Sequence, residues 1–591
     1  MYLAQLSISN FRRIENVVLE FQPGLNVIVG PNNVGKTAVV DALRALLAGY
    51  DEAHLRLDSD DIHRPKGHKA GSGPIEFNYI FRELSKSDEA DLMPAVRPGP
   101  GGALEAAFTV RYSDPDTTTG RLRPRRWCGE FEEIAIPVDL LEQLRGVYLP
   151  PLRDAAQGLK PSRASQLARL IQLLSEPEDQ DAIDEVLLDL DKRLKAEKPI
   201  TNTQDAISTR HSAMLGEQLS QPLEVGLSAN DFKRLSARLS LMVDNLEIEL
   251  NGLGFNNLIY MAVVLGEMAK NTQAAFQGLI IEEPEAHLHP QLQSILLRYL
   301  QGIEKTIGDR QVQLFVTSHS PNFASAAKLD SLACLFDADG KVKAFFPRHA
   351  QFEPGRKEKL ERYLDVTRAS LFFARRVIFV EGAAELALLH TLALKGSLDL
   401  RSHGVSLISV EGLNFDCFLP LFGEARLEIP VAVVTDADPP NEKDDEDDPA
   451  GVYPPLGATV TVSPGTALTK GCADKFVGVF HGVKTFEYDL ALHADNRDAM
   501  LKALAEMHPE LAKKVRLGVD SQPDDASKAK ALFRGMFERK SNNVQKGRFG
   551  QALAQVLARE TVQPKVPDYV QAAFKFVTPV PEKADWAGKG G

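Results

Sequence analysis

Cysteine is scarce in this 591-residue sequence, with only four residues, at positions 128, 334, 417 and 472. No two of them have the short spacing of a zinc-binding pair, and so few cysteines suit a reducing compartment, where disulfides are rare. We therefore expect neither a disulfide nor a zinc site, and we expect the protein to be cytoplasmic.

Long apolar runs are also missing. No segment offers the roughly 20 consecutive apolar residues that a helix needs to cross a bilayer. The N-terminal stretch MYLAQLSISNFRRIENV alternates like a β-strand and lacks the apolar block of a signal peptide. These absences predict a protein without membrane contact.

Positive charge is in deficit. The sequence has 68 Lys and Arg against 81 Asp and Glu, for a formal net charge of −13. Any contact with nucleic acid must therefore come from local basic patches or bound cations rather than from the overall field. A hydrophobic fraction of 44% is typical of globular proteins, and the length suggests three or four domains.

The first motif is LNVIVGPNNVGKTAVVDALRALL, which reads as a strand, a glycine-rich loop and an amphipathic helix. This is the GxxxxGK[ST] phosphate-binding motif in its required setting. Glycines let backbone amides approach phosphate oxygens, the lysine reaches the outer phosphates and the threonine can bind Mg²⁺. The predicted ligands of ATP or GTP with Mg²⁺ in this loop are Gly30, Asn33, Gly35, Lys36 and Thr37.

Two downstream strands predict the rest of a nucleotide-hydrolysing site. GLIIEEPEAHLHP ends its strand in Glu282, which would contact the Mg²⁺ shell, and Glu283, which would polarise the attacking water. VQLFVTSHS ends near His319, which could sense the outermost phosphate. His287 and His289 have an HxH spacing, but no further ligand follows at zinc-binding distance.

The order of these motifs, with NGLGFNN between them, resembles an ABC-type ATPase head of the SMC and RecF kind. Such heads bind ATP between two copies, with the signature loop of one facing the phosphate loop of the other. The resemblance assigns the signature to Asn251, Gly252 and Gly254, although Asn251 replaces the usual serine and Leu253 separates the glycines. The alternative is a Gly/Asn loop that opens a helix from Leu258.

Between the two halves of the head, SRASQLARLIQLLSE and DAIDEVLLDLDKRLKAEK predict two amphipathic helices. Such helices either cover the sheet or pair with a second copy, and we expect the insertion to be a dimerisation element. No long heptad array is present, which excludes the long arm of an SMC protein. The cluster RLRPRRW at 121–127 predicts either phosphate contact with base stacking or a solvated turn.

A second α/β pattern follows. The strand in VIFVEGAAELALL ends at Glu381, with Glu385 in the first turn of the next helix, and the strand in IPVAVVTDADPP ends at Asp436 and Asp438. Because parallel strands end at the same sheet edge, the four carboxylates should meet there. Hard oxygen ligands suit Mg²⁺ or Mn²⁺. A solvated helix start is the alternative for the first pair. We interpret NEKDDEDD at 441–448 as a solvated loop.

The pattern EGxxE followed by DxD is the signature of a TOPRIM domain. An ABC head followed by TOPRIM, with YLPPLRDA, VKTFEYDLAL and KSNNVQKGRFGQALAQVL, resembles the OLD (overcoming lysogenisation defect) nucleases over essentially the whole chain. This family includes the Gabija nuclease subunit. The resemblance implies a catalytic Lys546 and two Mg²⁺ or Mn²⁺ ions held by Glu381, Glu385, Asp436, Asp438 and Glu487.

The resemblance further implies a metal-dependent DNA endonuclease that acts in anti-phage defence or DNA processing. An ATPase head would control it, with either sign of coupling, in a homodimer or higher oligomer with or without a helicase-like partner. The main alternative is an SMC/RecF-like repair ATPase whose TOPRIM domain binds DNA without cleaving it. A primase or topoisomerase lacks support from any zinc-ribbon spacing or tyrosine-bearing strand-passage domain. A sensor ATPase acting through a protein partner is a third alternative.

The predicted fold is α/β, with an ABC-type head, a helical insertion, a Rossmann-like TOPRIM sheet and a small helical C-terminal segment. The predicted boundaries are 1–158 and 229–350 for the two parts of the head, 159–228 for the insertion, 351–374 for a linker, 375–515 for TOPRIM and 516–591 for the C-terminal segment.

Overall fold

The computed structural model describes residues 1–47, 55–68, 70–116, 119–151, 158–162, 165–216, 218–229, 231–270, 274–303, 311–440, 452–539, 541–559 and 563–578. The acidic stretch 441–448 and residues 152–155, the LRDA end of YLPPLRDA, lie outside these residues. No helix within the described ranges has both the length and the apolar character needed to cross a lipid bilayer.

The N-terminal part of the chain is rich in strands. Its elements are β1 (Tyr2–Phe11), β2 (Ile14–Glu20), β3 (Leu25–Val29), α1 (Lys36–Leu47), β4 (Ile75–Arg82), α2 (Lys86–Asp91), β5 (Val96–Pro98), β6 (Leu104–Ser113), β7 (Arg123–Cys128), α3 (Val138–Gln143) and β8 (Leu144–Leu149). Six of these strands form an antiparallel sheet in the order β2-β1-β4-β6-β5, with β7 also paired to β6.

The insertion is helical. Its elements, and the helix that follows, are α4 (Gln166–Leu173), α5 (Pro177–Ala196), α6 (Lys198–Leu215), α7 (Phe232–Ser236), β9 (Met242–Val243), β10 (Leu246–Glu247) and α8 (Leu253–Lys270). The two predicted amphipathic helices correspond to α4 and α5. The sequence interpretation missed α6, whose polar residues are too frequent for a clear apolar stripe.

The nucleotide-binding motifs lie on a second sheet. The remaining elements of this part of the chain are β11 (Phe276–Glu282), α9 (Pro290–Gly302), β12 (Gln313–Ser318), α10 (Pro321–Ala326), β13 (Leu332–Ala338), β14 (Lys341–Phe345) and α11 (Arg356–Tyr363). The strand order is β14-β13-β3-β12-β11-β8, parallel except for the β13–β14 pair. Strands β3, β11 and β12 are buried along their whole length, as expected of a sheet covered on both faces.

The C-terminal part contains a third sheet and a group of helices. Its elements are β15 (Arg376–Val380), α12 (Ala383–Lys395), β16 (Val405–Ser409), α13 (Phe415–Phe418), β17 (Val431–Thr435), α14 (Pro464–Lys470), β18 (Val477–His481), α15 (Phe486–Leu492), α16 (Ala494–Met507), α17 (Pro509–Asp520), α18 (Asp525–Phe537), α19 (Lys546–Arg559) and α20 (Asp568–Val577). The sheet is parallel, in the order β16-β15-β17-β18. Strand β16 lies in the segment VSLISVEGLNF.

The segment between the head and the third sheet is packed into the core. One continuous cluster of buried side chains includes Val27 and Val316 of the second sheet, Leu371 of the connecting segment and Val433 of the third sheet. The buried guanidinium of Arg368 reinforces the junction by donating to the Ser409 carbonyl and pairing with Glu411 and Asp365. The two sheets are therefore joined through ordered structure.

Candidate active site

The phosphate loop connects β3 to α1 in the predicted geometry. Gly30 has a φ of +152°, and a Cβ at this position would lie 2.2 Å from the carbonyl oxygen of Leu335, so only glycine fits. Lys36 is buried, and its Nζ donates to the carbonyl oxygens of Gly30 at 2.5 Å and Pro31 at 2.8 Å. Burial lowers the pKa of Lys36 to about 8, although the carboxylates of Glu283 and Glu285 oppose that shift. The ammonium thus rests on carbonyls within the loop.

Glu282 lies at the carboxyl end of β11 with both carboxylate oxygens engaged. The Thr37 hydroxyl donates to its Oε1 at 2.8 Å, and the Tyr148 hydroxyl donates to its Oε2 at 2.8 Å. The pairing of a phosphate-loop threonine with a strand-end acid brings the two predicted Mg²⁺-contacting residues together. Tyr148 begins the quoted segment YLPPLRDA, but the sequence analysis assigns it no role at the nucleotide site.

Glu283 and His319 also meet, with 3.1 Å between the His319 Nε2 and Glu283 Oε1 atoms. Burial lowers the pKa of His319, and the nearby Lys36 lowers it further. The loop that carries His319 is held by Glu285, whose Oε1 accepts from the Ser318 hydroxyl at 2.7 Å and from the His319 amide at 2.8 Å. Burial raises the pKa of Glu285. The sequence analysis did not identify Glu285, because the groups that it contacts lie at the end of β12, a different strand from the one that precedes it.

The predicted signature residues open α8. This helix begins at Leu253, not at Leu258 as the alternative interpretation assumed, so Gly254 lies in its first turn. A Cβ on Gly254 would lie 2.6 Å from the His287 carbonyl oxygen, which explains the glycine by close packing. Contact of Asn251, Gly252 and Gly254 with a nucleotide on a second copy remains a prediction.

In the third sheet, the strand ends bring the predicted acids together. Strands β15 and β17 are parallel neighbours, with Val380 opposite Val434. Glu381 Oε1 accepts from the Asp436 amide at 2.7 Å and also from the Thr435 hydroxyl. Glu385 caps the start of α12 by accepting from the Gly382 amide at 3.1 Å. The first and second acidic motifs therefore share one sheet edge.

Glu487 and Lys546 join this edge from the helices that follow. The Lys546 Nζ lies 2.9 Å from Glu487 Oε2 and 3.9 Å from Asp436 Oδ2. Asp436 is fixed from its other side, where Oδ1 accepts from the Phe486 amide at 2.9 Å. The ammonium of Lys546 thus bridges acids from β17 and α15.

The electrostatics of this cluster show an excess of negative charge. Burial, and next the negative charge of Glu487, raise the pKa of Glu385 to about 7. Burial, and next Glu381, raise the pKa of Asp436 well above its ordinary value, against the opposing effect of Lys546. Burial alone would lower the pKa of Lys546, but Glu487 and Asp436 outweigh it and raise that pKa. One ammonium leaves several acids only partly compensated.

Asp438 is placed differently from the other predicted ligands. Its side chain is exposed, its φ is +41°, and its amide donates to the Lys484 carbonyl at 3.2 Å. Its carboxylate has no hydrogen bond or ion pair with another described residue. A positive φ takes the backbone out of the extended conformation, so the side-chain alternation of a strand does not continue to Asp438.

The residues at this edge fit a divalent cation. Within the described residues, no group of three or more His, Cys, Asp or Glu side chains is already arranged around a metal position. However, Glu487 is 1% exposed and its Oε1 has no hydrogen-bond partner among the described residues. A buried carboxylate oxygen without a partner, next to acids with raised pKa values, is the donor set that a hard cation would complete.

Close helix packing brings Lys546 to the acids. Helix α19 begins at Lys546 and crosses α12, which begins beside Glu381. Gly550 lies directly on Ala384, and a Cβ at Gly550 would be 2.7 Å from the Ala384 Cα atom and 3.0 Å from its carbonyl oxygen. The missing side chain therefore sets the separation of the two helix starts.

Replacement of Gly550 by alanine should lower the free energy of unfolding by about 1–3 kcal/mol, because overpacking against backbone atoms forces the helices apart. Denaturant unfolding measures this change. The control is Gly518→Ala, at a helical position where an added Cβ has no neighbour within 4 Å. That change should be neutral or stabilise by about 0.5–1 kcal/mol. Equal effects of the two substitutions would refute the close-packing explanation.

The arginine-rich cluster 121–127 does not form a stacking site. It lies largely in strand β7, where Trp127 is 4% exposed and packs against the Arg111 guanidinium, 4.8 Å from the ring centre. Arg125 pairs with Asp114 and Glu132. Both the base-stacking and the solvated-turn predictions for this segment are wrong, because the cluster completes an antiparallel sheet.

Comparison with known proteins agrees with this two-part architecture. The model of the AAA ATPase domain family matches residues 1–218 and 148–324, which together span more than half of the chain. The model described as overcoming lysogenization defect protein-like, TOPRIM domain, matches residues 372–438. That range includes both predicted acidic motifs of the third sheet.

The chain is similar to two known proteins over most of its own length and theirs. It is 27% identical over 477 residues to the OLD nuclease of Thermus scotoductus, covering 75% of this chain and 84% of the relative. It is 22% identical over 480 residues to Endonuclease GajA of Bacillus cereus strain VD045, and the match covers 77% of this chain and 78% of the relative. A solved structure of the C-terminal region of the Burkholderia pseudomallei OLD protein is 24% identical, covers 35% of this chain and 97% of that one, and has a TM-score of 0.25. The chain belongs to the AAA ATPase domain family and carries an OLD-like TOPRIM domain, a combination in which it is similar to the OLD nuclease.

Proposed function

We propose that this protein is a divalent-metal-dependent DNA endonuclease whose ATPase head controls the TOPRIM site. The observation that carries this proposal is the meeting of Glu381, Asp436, Glu487 and Lys546 at one sheet edge, since they come from four separate segments. The names of the similar OLD nuclease and of Endonuclease GajA support the same activity.

In the proposed mechanism, Glu381, Glu385, Asp436 and Glu487 would hold the cations, and Asp438 would be a further ligand from the exit loop. Two bound Mg²⁺ or Mn²⁺ ions would supply a nucleophile at neutral pH and charge stabilisation on the scissile phosphate. The amides of Asp436 and Phe486 and the Thr435 hydroxyl fix the orientation of these acids. Lys546, held between Glu487 and Asp436, would donate to the transition-state phosphate or protonate the leaving oxygen.

In the head, Gly30, Asn33, Gly35 and Lys36 would cradle the ATP phosphates. Thr37 and Glu282 would hold the nucleotide-bound Mg²⁺, Glu283 would polarise water, and His319 would sense the outer phosphate. Asn251, Gly252 and Gly254 would contact ATP on a second copy. The ordered junction at Arg368 supports communication between the head and the TOPRIM site.

A homodimer or higher oligomer is part of the proposal, with the predicted insertion 159–228 as its contact. Exposed apolar side chains on α5 and α6 support such a contact, including Val186 at 67% and Met214 at 79% exposure. The sequence resemblance to the OLD nucleases implies a role in anti-phage defence or DNA processing and a helicase-like partner, and both belong to this proposal. The proposed head, linker, TOPRIM and C-terminal boundaries are those predicted from the sequence.

Plasmid digestion tests the activity. Purified protein should nick or cut plasmid DNA with Mg²⁺ or Mn²⁺, and ATP should change the rate. Parallel reactions with Ca²⁺ and with EDTA define the metal requirement, and Lys36→Ala and Lys546→Ala separate the two sites. DNA that binds but stays intact under all metal conditions would instead favour a repair ATPase with a non-cleaving TOPRIM domain.

A further inference from the structure

Two hydroxyl groups hold the carboxylate of Glu282 from opposite sides. Thr37 donates to Oε1 and Tyr148 donates to Oε2, both at 2.8 Å, and Glu282 is 6% exposed. Hydrogen bonds to a buried charged group have a large energetic effect and a well-defined geometry. The orientation of Glu282 therefore depends on a residue outside the nucleotide-binding motifs.

Tyr148 is itself held firmly. It lies on β8, directly opposite Ile280 of the neighbouring strand β11. The Arg44 guanidinium lies 4.0 Å from the centre of its ring, a cation–π distance, and Arg44 pairs with Asp41 at 3.1 Å. Arg44 and Asp41 belong to α1, the helix that begins at the phosphate loop. Tyr148 thus connects this helix to the end of β11.

We propose that Tyr148 is a positioning residue for the nucleotide-bound magnesium ion, acting by orienting Glu282. The inference rests on the proposed roles of Thr37 and Glu282. A threonine hydroxyl has one proton and two lone pairs, and the Thr37 proton is directed at Glu282, so its lone pairs stay free for a cation. The Tyr148 bond keeps Glu282 in the orientation that accepts this proton.

The chemistry of Tyr148 suits a permanent donor. A tyrosine phenol ordinarily has a pKa of about 10 and is protonated at neutral pH. The Tyr148 hydroxyl therefore has a proton to donate to Glu282 Oε2, 2.8 Å away. A phenylalanine would keep the ring under Arg44 and remove only the donor, which makes Tyr148→Phe the appropriate substitution.

The test is the binding of a fluorescent ATP analogue, first in EDTA and then during a Mg²⁺ titration. Tyr148→Phe should bind the analogue in EDTA as the wild type does. The Mg²⁺ concentration that gives half of the Mg²⁺-dependent response should be about ten-fold higher for Tyr148→Phe than for the wild type. This is the effect expected from the loss of one hydrogen bond to a charged group. Tyr299→Phe, at a half-exposed position on α9, is the matched control and should leave both quantities unchanged.

A double-substitution cycle separates positioning from general structure. In a Glu282→Gln background, Tyr148→Phe should add little further change, because the two residues act as one unit. An unchanged Mg²⁺ midpoint in Tyr148→Phe, additive effects in the cycle or weaker binding already in EDTA would each overturn the inference. A different result would reject the proposed roles of Thr37 and Glu282, and the inference with them. In that result, analogue binding by the wild type does not depend on Mg²⁺, and Thr37→Ala does not change the binding.

Discussion

Lys546→Ala should reduce metal-dependent DNA cutting by about 10²–10³-fold, the cost of losing one donor to a charged transition state. Lys546 supplies the ammonium that lies on Glu487 and near Asp436, where the scissile phosphate would bind. Nucleotide binding should be retained, because the phosphate loop belongs to a different sheet. A plasmid-nicking time course and binding of an ATP analogue measure the two properties.

Two further variants sharpen this result. Lys546→Arg keeps the positive charge but replaces a compact ammonium with a larger, planar guanidinium group. It should therefore retain more cutting activity than Lys546→Ala but less than the wild type. Lys514→Ala removes an exposed lysine of the same helical region and should cut like the wild type. DNA cutting that survives in Lys546→Ala would contradict the assignment, provided that a metal-free control shows no contaminating nuclease.

Glu283→Gln should slow ATP hydrolysis by about 10²–10⁴-fold while ATP still binds, because the amide cannot polarise water as a carboxylate does. Glu283 Oε1 lies 3.1 Å from Nε2 of His319, the residue proposed to sense the outermost phosphate. Phosphate release measures hydrolysis, and filter binding of labelled ATP measures occupancy. Glu353→Gln, at an exposed acid outside the head motifs, should hydrolyse ATP normally.

The same variant tests control of the nuclease by the head. Glu283→Gln should keep ATP bound, whereas Lys36→Ala should not bind it. If nucleotide occupancy controls the TOPRIM site, the two variants should change plasmid cutting in opposite directions when ATP is present. A change of equal sign and size in both, or no change in either, would contradict the proposed coupling.

Features with short-range signals could be predicted from the sequence. The phosphate loop, Glu282 and Glu381 each follow an apolar strand. Because parallel strands end at the same edge of a sheet, this local pattern already indicates where the two sites lie. The family resemblance supplied Glu487 and Lys546, which no local pattern distinguishes from other acids and lysines.

Other features depend on contacts between distant segments. The placement of Lys546 requires Gly550 to pack on Ala384, and the role of Tyr148 requires β8 to lie beside β11. The exposed position of Asp438 follows from a backbone turn at positive φ that a strand pattern does not predict. Trp127, next to four arginines in the sequence, is buried because β7 pairs with β6.

The most direct test of the metal site is a crystal structure of the Mn²⁺-soaked protein with anomalous diffraction. Mn²⁺ should appear at the carboxyl edge of the third sheet, within ligand distance of Glu381, Asp436 and Glu487, and the Lys546 ammonium should move off Glu487 to admit it. Mn²⁺ bound only elsewhere, with Lys546 still paired to Glu487 at saturating metal, would contradict a metal-dependent nuclease at this edge.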